Sequence, residues 1–384
     1  KKGQTDVEFC EELARKVGVG VVPGTSFFNE KGVNNIVRMH FAKLDTTLYE
    51  ALDRLVEEGR EEEVLELSRM AFEKYPYSSS LLARFCDTLI LMGDPDKALE
   101  LLSVYSDSFS GESSMYILYS RANIIKKKFA HARDYFYKAM ELGTEAAADS
   151  DTAEQVCTLA QDCIEVGNYR EALYYLDRAS RIAPLPFEYS NDYAFCYDRL
   201  DEPQKAIEHY NSYLDKDPFN DTVWFNLGTV QARIREFEKA IEAFEYSIAL
   251  NAANSSSLYN LAVVYMNLQR YAEASKVFEQ FVEIDTDVLG RLGLGEAYIR
   301  LERFQDAIVQ FEKAGEVSAE ALLGIDAVKA ILCCRNGEFE VFKELFLKIF
   351  NNGTAWLAVV YDMLPFLQGE QWFLDFLGTI KKED

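Results

Sequence analysis

Two consecutive stretches of similar sequence decide the fold. The first begins with Trp224-Phe225-Asn226-Leu227-Gly228 and continues to Ala240 and Phe244, and the second begins with Leu258-Tyr259-Asn260-Leu261-Ala262 and continues to Ala274 and Phe278. Because an Ala and a Phe four residues later lie on the same helical face, each stretch predicts two amphipathic helices. A small residue where the helices cross lets them approach closely, and the larger residue fills the next layer.

The small residue of this motif recurs along most of the chain. It stands at Ala98, Ala132, Ala172, Ala206, Ala240, Ala274 and Ala307, with Val64 as an earlier member. The steps from Val64 onward are 34, 34, 40, 34, 34, 34 and 33 residues. One helix pair cannot bury its apolar face alone, so we expect the pairs to stack into a solenoid. The 40-residue step indicates an insertion at about residues 143–150.

The motif resembles the tetratricopeptide repeat family, whose pattern is Trp-x-x-Leu-Gly-x-x-Tyr, then Ala-x-x-x-Phe, then Pro. The match departs at Gln231, where the family usually has an aromatic residue. The resemblance implies an all-α protein, a right-handed α-solenoid of about 8–9 repeats over residues 45–350. Repeats are expected at about 45–78, 79–112, 113–146, 153–186, 187–220, 221–254, 255–287, 288–322 and, in degraded form, 323–350.

Residues 1–44 do not fit the period and predict a small α/β segment. A helical pattern precedes Gly18-Val19-Gly20-Val21-Val22-Pro23-Gly24, and Ile36-Val37-Arg38-Met39-His40-Phe41 follows. Over about residues 5–57 this resembles the C-terminal end of a fold-type I pyridoxal-phosphate aminotransferase. In that family the arginine matching Arg38 binds the substrate carboxylate. The family's cofactor lysine and phosphate-binding loop have no counterpart, so Arg38 is interpreted as a vestigial site. A gene fusion, a longer parent chain and an assembly error remain open as explanations.

The sequence offers little for catalysis, so we expect no enzyme, no cofactor and no metal site. The 3 histidines form no His-Glu-x-x-His pair. Gly290-x-x-Gly293-x-Gly295 is interpreted as small packing positions within a helix, not as a phosphate loop. The 7 cysteines are odd in number and lack a Cys-x-x-Cys motif, which favours a reducing compartment and predicts a cytoplasmic protein.

Charge restricts the partners. The chain has 64 acidic and 40 basic side chains, a net charge of −24, which argues against nucleic acid and anionic membranes. No apolar run approaches the ~20 residues that span a bilayer. Residues 1–60 hold 9 basic and 10 acidic side chains, so nearly all the negative charge lies on the repeats and favours a basic protein partner.

In this family the first helix of each pair lines a concave groove, which would be a peptide-binding site. The predicted groove residues are Asn191, Phe195, Arg199, Phe225, Asn226, Arg233, Tyr259, Asn260, Asn267 and Arg300. Asn226 and Asn260 share a slot and match the asparagine ladder of some members, which binds a peptide backbone. The alternative is that they cap neighbouring backbone. Arg199 and Arg233 share another slot and are expected to hold an acidic side chain or a C-terminal carboxylate.

Residues 351–384 are rich in large apolar side chains and predict capping helices over the last repeat. The alternative is a surface for self-association or for a partner, and the oligomeric state is not predicted. Together these patterns predict a non-catalytic scaffold that binds a peptide or helix of a partner protein. The rival prediction is a fragment or fused subunit of a pyridoxal-phosphate-dependent aminotransferase.

Overall fold

The structure, a computed structural model, describes residues 22–23, 37–38, 60–109, 111–143, 150–315, 318–352 and 354–380. The chain forms two compact units, unit 1 from Lys1 to Leu185 and unit 2 from Pro186 to Asp384. The described part is α-helical apart from two short strands, and its helices pack in adjacent pairs. The prediction of an all-α solenoid of helix pairs is confirmed.

Unit 1 begins with strands β1 (Val22–Pro23) and β2 (Val37–Arg38), which pair antiparallel with Val22 opposite Arg38. The remainder of residues 5–57, the side chain of Arg38 and the insertion at residues 144–149 lie outside the described residues. The helices of this unit are α1 (Glu61–Lys74), α2 (Ser79–Leu91), α3 (Pro95–Val104), α4 (Ser113–Ile125), α5 (Phe129–Gly143), α6 (Ser150–Glu165) and α7 (Tyr169–Ile182). The pairs are α2 with α3, α4 with α5, and α6 with α7.

Unit 2 contains five further pairs and a C-terminal cover. Its helices are α8 (Tyr189–Arg199), α9 (Pro203–Leu214), α10 (Asp221–Arg233), α11 (Phe237–Leu250), α12 (Ser255–Asn267), α13 (Tyr271–Ile284), α14 (Val288–Arg300), α15 (Phe304–Gly315), α16 (Ala319–Arg335), α17 (Phe339–Asn352), α18 (Thr354–Met363), a 3-10 helix (Pro365–Gly369) and α19 (Gln371–Ile380). The even-numbered member of each pair from α2 to α17 is called its first helix.

The small residues of the motif lie at the centre of each pair. Each alanine of the series from Ala98 to Ala307 is fully buried. Some first helices pack so closely against a second helix that glycine is required. A Cβ added at Gly228 of α10 would lie 2.8 Å from Cε1 of Phe244 on α11. One added at Gly293 of α14 would lie 2.4 Å from Cζ of Phe278 on α13, in the preceding pair. The glycine run at residues 290–295 therefore serves helix packing inside α14, as the sequence predicted.

A left-handed residue stands in the turn inside every described pair. These residues are Gly93, Lys127, Gly167, Asp201, Arg235, Gln269, Glu302 and Gly337. In the turn at Arg235, the N–H of Arg235 donates to the carbonyl of Ala232 at 3.1 Å, and the N–H of Glu236 donates to that of Gln231 at 2.9 Å. This bonding is a Schellman motif, which satisfies the last carbonyls of the first helix.

Polar links tie the first helix of a pair to the second helix of the preceding pair. The hydroxyl of Tyr265 donates to Glu245 at 3.2 Å, and that of Tyr298 donates to Glu279 at 2.7 Å. Burial is the main cause that raises the pKa of Tyr298 to about 12, and its hydrogen bond to the Glu279 carboxylate raises the pKa further. Gln231 takes the corresponding place in α10, and its buried Oε1 has no hydrogen-bond partner among the described residues.

A buried ion-pair cluster joins three first helices of unit 1. Arg121 of α4 is only 6% exposed and donates to the two carboxylate oxygens of Asp162, on α6, at 2.7 and 3.0 Å. It also donates to Asp87 on α2. Because Arg121 and Asp162 are both withdrawn from water, each needs its partner, whereas Asp87 is partly exposed.

The C-terminal helices pack onto α16 and α17 within unit 2. Trp356 meets Phe311 edge to face at 5.1 Å, and its Nε1 donates to the carbonyl of Glu320 at 3.1 Å. Phe373 packs against Phe342 and Phe346 at 6.0 and 5.4 Å between ring centroids. Self-association through this segment stays a prediction. Within the described ranges, no helix has both the length and the apolar character needed to cross a membrane.

Candidate functional site

The predicted groove residues all lie on four first helices of unit 2. They are Asn191, Phe195 and Arg199 on α8, Phe225, Asn226 and Arg233 on α10, Tyr259, Asn260 and Asn267 on α12, and Arg300 on α14. Helix α12 contacts both α10 and α14 directly, so neighbouring first helices lie side by side. We call the surface formed by these four helices the first-helix face.

The amide groups of Asn226 and Asn260 occupy equivalent, half-buried places on α10 and α12. Neither side chain forms a hydrogen bond with any residue that the structure describes. The N-caps of these two helices are formed by other asparagines. Asn220 accepts from the N–H of Val223 at 3.1 Å, and Asn254 accepts from the N–H of Ser257 at 3.0 Å. Asn226 and Asn260 thus have unused donors and acceptors.

Aromatic rings flank these two amides. Phe225 packs against Phe244 at 6.1 Å, and Tyr259 lies 5.9 Å from Phe278 and 5.7 Å from Phe281, measured between ring centroids. Burial is the main cause that raises the pKa of Tyr259, and the charge of Asp287 is a smaller one. The hydroxyl of Tyr259 therefore stays neutral at physiological pH. The face therefore combines partly exposed apolar surface with amide groups.

Helix α8 contributes one acceptor and one cation. Oδ1 of Asn191 is buried and has no hydrogen-bond partner in the described part of the chain. The guanidinium of Arg199 lies 5.0 Å from the ring centroid of Phe195. No carboxylate of a described residue comes within ion-pair distance of Arg199, so its charge is available to an acidic group.

Arg233 differs from Arg199 although both end a first helix. Its guanidinium forms an ion pair with Asp198 and another, at 3.4 Å, with Asp201. Arg233 thus bridges α8 and α10, and two carboxylates of the chain already compensate its charge. That both arginines hold an acidic group of a partner stays a prediction. Arg335 repeats the arrangement, pairing with Glu302 at 2.9 Å.

The acidic partners of Arg233 and Arg335 were not predicted from the sequence. Asp201 and Glu302 both occupy the left-handed place in a turn, 32 and 33 residues before the arginine that each one pairs with. That repeated spacing is the signal that could have revealed them.

Arg300 and Asn267 are also engaged within the chain. The guanidinium of Arg300 donates to Asp362 of α18 at 2.8 Å and to Glu296 at 3.4 Å, and its side chain is only 13% exposed. Nδ2 of Asn267 donates to the carbonyl of Val263 in its own helix at 2.9 Å. This corrects the prediction that Arg300 lies open on the groove, because α18 covers it.

The titratable side chains of the described residues show no arrangement for catalysis. No group of three or more His, Cys, Asp or Glu residues there could hold a metal ion. His209 stacks on Tyr193 and Tyr197 at 4.9 and 5.5 Å between ring centroids. Burial raises the pKa of the Cys86 and Cys196 thiols to about 12, so both stay protonated and are poor nucleophiles.

Comparison with known proteins identifies the repeat over part of the chain. Residues 157–221 and 225–288 match the family model described as tetratricopeptide repeat. A search of curated proteins gives no match. The resemblance of residues 5–57 to an aminotransferase finds no support in these comparisons.

Several solved structures match parts of the chain. MamA (residue 41 to the end) from Desulfovibrio magneticus RS-1 is 21% identical, covering 44% of this chain and 96% of its own, with a TM-score of 0.42. PilF of Pseudomonas aeruginosa is 17% identical, covering 60% and 98%, with a TM-score of 0.41. YrrB, described as a TPR protein with an unusual peptide-binding site, is 19% identical, covering 50% and 95%, with a TM-score of 0.37.

Proposed function

We propose that this chain is a non-catalytic protein-interaction scaffold that binds an extended segment of a partner protein on the first-helix face. The observation that carries the proposal is the pair of unused amides, Asn226 and Asn260, in equivalent places on neighbouring helices. An amide side chain offers both a donor and an acceptor, which matches a peptide group whatever its side chain. The family match over residues 157–288 supports a repeat architecture around this face.

Neighbouring groups complete the surface. Phe225 and Tyr259 supply aromatic area beside the two amides. Arg199 is placed to pair with an acidic side chain or a C-terminal carboxylate. Residues 186–384 hold 33 acidic and 18 basic side chains, so a basic partner would be attracted at long range.

The test is selection of peptides from a random library on the whole chain, followed by affinity measurement on variants. We expect the selected peptides to bind the Asn226→Ala/Asn260→Ala variant about tenfold more weakly, because two hydrogen-bonded amides are lost. Asn211→Ala is the matched control, since Asn211 is an exposed amide on the second helix α9. Circular dichroism checks that all three proteins are equally helical.

Two results would contradict the proposal. One is equal affinity of the selected peptides for the wild-type chain and for the double variant. The other is an equal loss in the Asn211→Ala control, which would place binding elsewhere. A separate Arg199→Glu variant tests the cation. It should lower the affinity for peptides that contain an acidic residue and leave the affinity for neutral peptides unchanged.

The rival prediction, a fragment or fused subunit of a pyridoxal-phosphate-dependent aminotransferase, rests on residues 5–57 alone. It is tested by adding pyridoxal phosphate to the chain. A Schiff-base absorbance that disappears on addition of an amino acid would support it and overturn a purely non-catalytic role.

A further inference from the structure

Unit 1 has an aromatic pocket that the first-helix face does not include. The pocket is a cavity of about 170 Å³ between α3, α4 and α5, and its lining includes Tyr105, Phe109, Met115, Tyr116, Tyr119 and Tyr135. An apolar cavity of roughly 150 Å³ holds one benzene molecule. The pocket therefore has room for one aromatic ring.

The pocket lies beside the end of α3, which is a short helix. Helix α3 has 10 residues, whereas the second helices of the other described pairs have 12 to 15. At its end the hydroxyl of Ser103 donates to the carbonyl of Glu100 at 2.8 Å, and that of Ser106 donates to the carbonyl of Ser103 at 2.9 Å. Such bonds compete with the helix. After Val104 the chain leaves the helix, and Tyr105, Ser106 and Phe109 of the following turns line the pocket.

The rings favour a flat, uncharged occupant. Tyr119 and Tyr135 stack at 4.7 Å with 12° between their planes, and Tyr116 and Tyr135 lie 6.5 Å apart at 29°. Rings in this near-parallel arrangement accommodate a further ring in offset stacking. No acidic side chain is among the described residues that line the pocket, so a cation inside it would lack a compensating charge from them.

A lysine lies over the ring of Tyr135, one of the residues that line the pocket. Nζ of Lys138 lies 5.4 Å from the ring centroid of Tyr135, and the side chain is exposed. No carboxylate of the described residues forms an ion pair with it. Lys138 would repel a second cation placed next to it and would attract a carboxylate.

We propose that the aromatic pocket binds an aromatic side chain of a partner protein that has an acidic residue next to it, with the carboxylate pairing with Lys138. The ring fills the cavity beside Tyr135, and the acidic residue stays at the exposed edge. This site is additional to the first-helix face and lies in the other unit, so its failure would leave the proposed function intact.

The experiment uses the whole chain and a blocked peptide of sequence Gly-Asp-Phe-Asp-Gly, titrated by calorimetry up to millimolar concentration. Two further peptides replace the Phe by Ala or both Asp residues by Lys. We expect the first peptide to bind at least about tenfold more tightly than the peptide without the ring, because one ring is buried. The Lys-flanked peptide should also bind more weakly, because Lys138 repels it.

Protein variants locate the site. Ser106→Trp, at the exposed edge of the pocket, should fill the cavity and remove binding. Lys138→Glu should lower the affinity for the acidic peptide severalfold. Lys97→Glu makes the same charge change at another exposed lysine and should leave that affinity unchanged. Circular dichroism checks folding, and Lys138→Glu tests the site even if Ser106→Trp fails to fold.

Other outcomes overturn the proposal. They are no binding of the first peptide, equal binding of the three peptides, or equal effects of Lys138→Glu and Lys97→Glu. Free phenol binding as tightly as the peptide would indicate a small-molecule site instead. A dimer in sedimentation that Ser106→Trp dissociates would show that a second copy of the chain occupies the pocket.

Discussion

Replacing Gly293 by Ala tests how closely the helix pairs of unit 2 are packed. The added Cβ would lie 2.4 Å from Cζ of Phe278 and 2.8 and 2.9 Å from its two Cε atoms. Carbon atoms prefer about 3.5–4.0 Å, so the ring would have to retreat by about 1 Å. Phe278 is only 1% exposed, and so it has no open space to enter.

The expected magnitude follows from two opposing terms. Overpacking a buried site costs about 1–3 kcal/mol, and Ala gains about 1 kcal/mol over Gly in a helix interior. The free energy of unfolding should therefore fall by between about 0 and 2 kcal/mol. Gly378→Ala, in α19, is the matched control because a Cβ there meets nothing within 4 Å. It should stabilise the chain, by up to about 1 kcal/mol.

The assay is urea unfolding followed by far-UV circular dichroism, with thermal midpoints as a check. The difference between the two variants isolates the packing term, about 1–3 kcal/mol, which corresponds to roughly 2–4 °C per kcal/mol for a unit of this size. In a Phe278→Leu background the ring is gone, and the cost of Gly293→Ala should largely disappear. If Gly293→Ala stabilises the chain as much as Gly378→Ala does, the close approach of α14 to Phe278 is refuted.

Three further predictions concern the turns, the buried ion pairs and the thiols. Arg235→Gly should raise the free energy of unfolding by up to about 1 kcal/mol by relieving a left-handed conformation, whereas Gly93→Ala should lower it by a similar amount; thermal midpoints check both. Arg121→Ala should cost about 3–5 kcal/mol in urea unfolding, because it leaves two carboxylates without their partner; a loss under 1 kcal/mol would contradict this. The pKa of Cys86 and of Cys196 is raised to about 12 in the folded chain from an ordinary value near 9, so the unfolded chain loses these protons first. The free energy of unfolding should therefore fall from about pH 9 to pH 12. In urea unfolding the fall should be less steep for the double alanine variant.

The pairing of helices could be predicted because its signal is local and repeated. Ala240 and Phe244 lie one turn apart in one helix, and the same spacing returns in most pairs. Burial of Ala240 follows from this spacing alone, whatever the neighbouring pair is. The turns were harder to predict, since Arg235 and Gln269 adopt a conformation that glycine prefers, and only the surrounding hydrogen bonds hold them there.

The sequence indicates which helices carry the candidate site, but not which of its side chains are engaged within the chain. Asn226 and Asn260 share a slot in the sequence, and equivalent positions of stacked helices align; their role in binding stays a prediction. Arg199 and Arg233 also share a slot, yet only Arg233 forms ion pairs with described residues of the chain. Whether an arginine is free depends on side chains from a neighbouring pair or from α18, as with Arg300 and Asp362, and periodicity carries no information about them.

The aromatic pocket of unit 1 escaped the sequence reasoning for a related reason. It lies beside the end of the short helix α3, and a repeat pattern indicates where helices run better than where they stop. The serines at 103 and 106 were the available signal.

The place of Gln231 has a consequence for how the first-helix face moves. In a stack of repeats each pair is held only by its neighbours, so opening begins where neighbour coupling is weakest. Gln231 lacks the tyrosine–carboxylate link of its counterparts, and the exposed Arg233–Asp198 pair at the same junction is screened by salt. Amide hydrogens near this junction should exchange faster than those of α12 and α14. A partner that contacts Asn191 and Asn226 at once would span the junction, so part of its binding energy would be spent in holding α8 against α10.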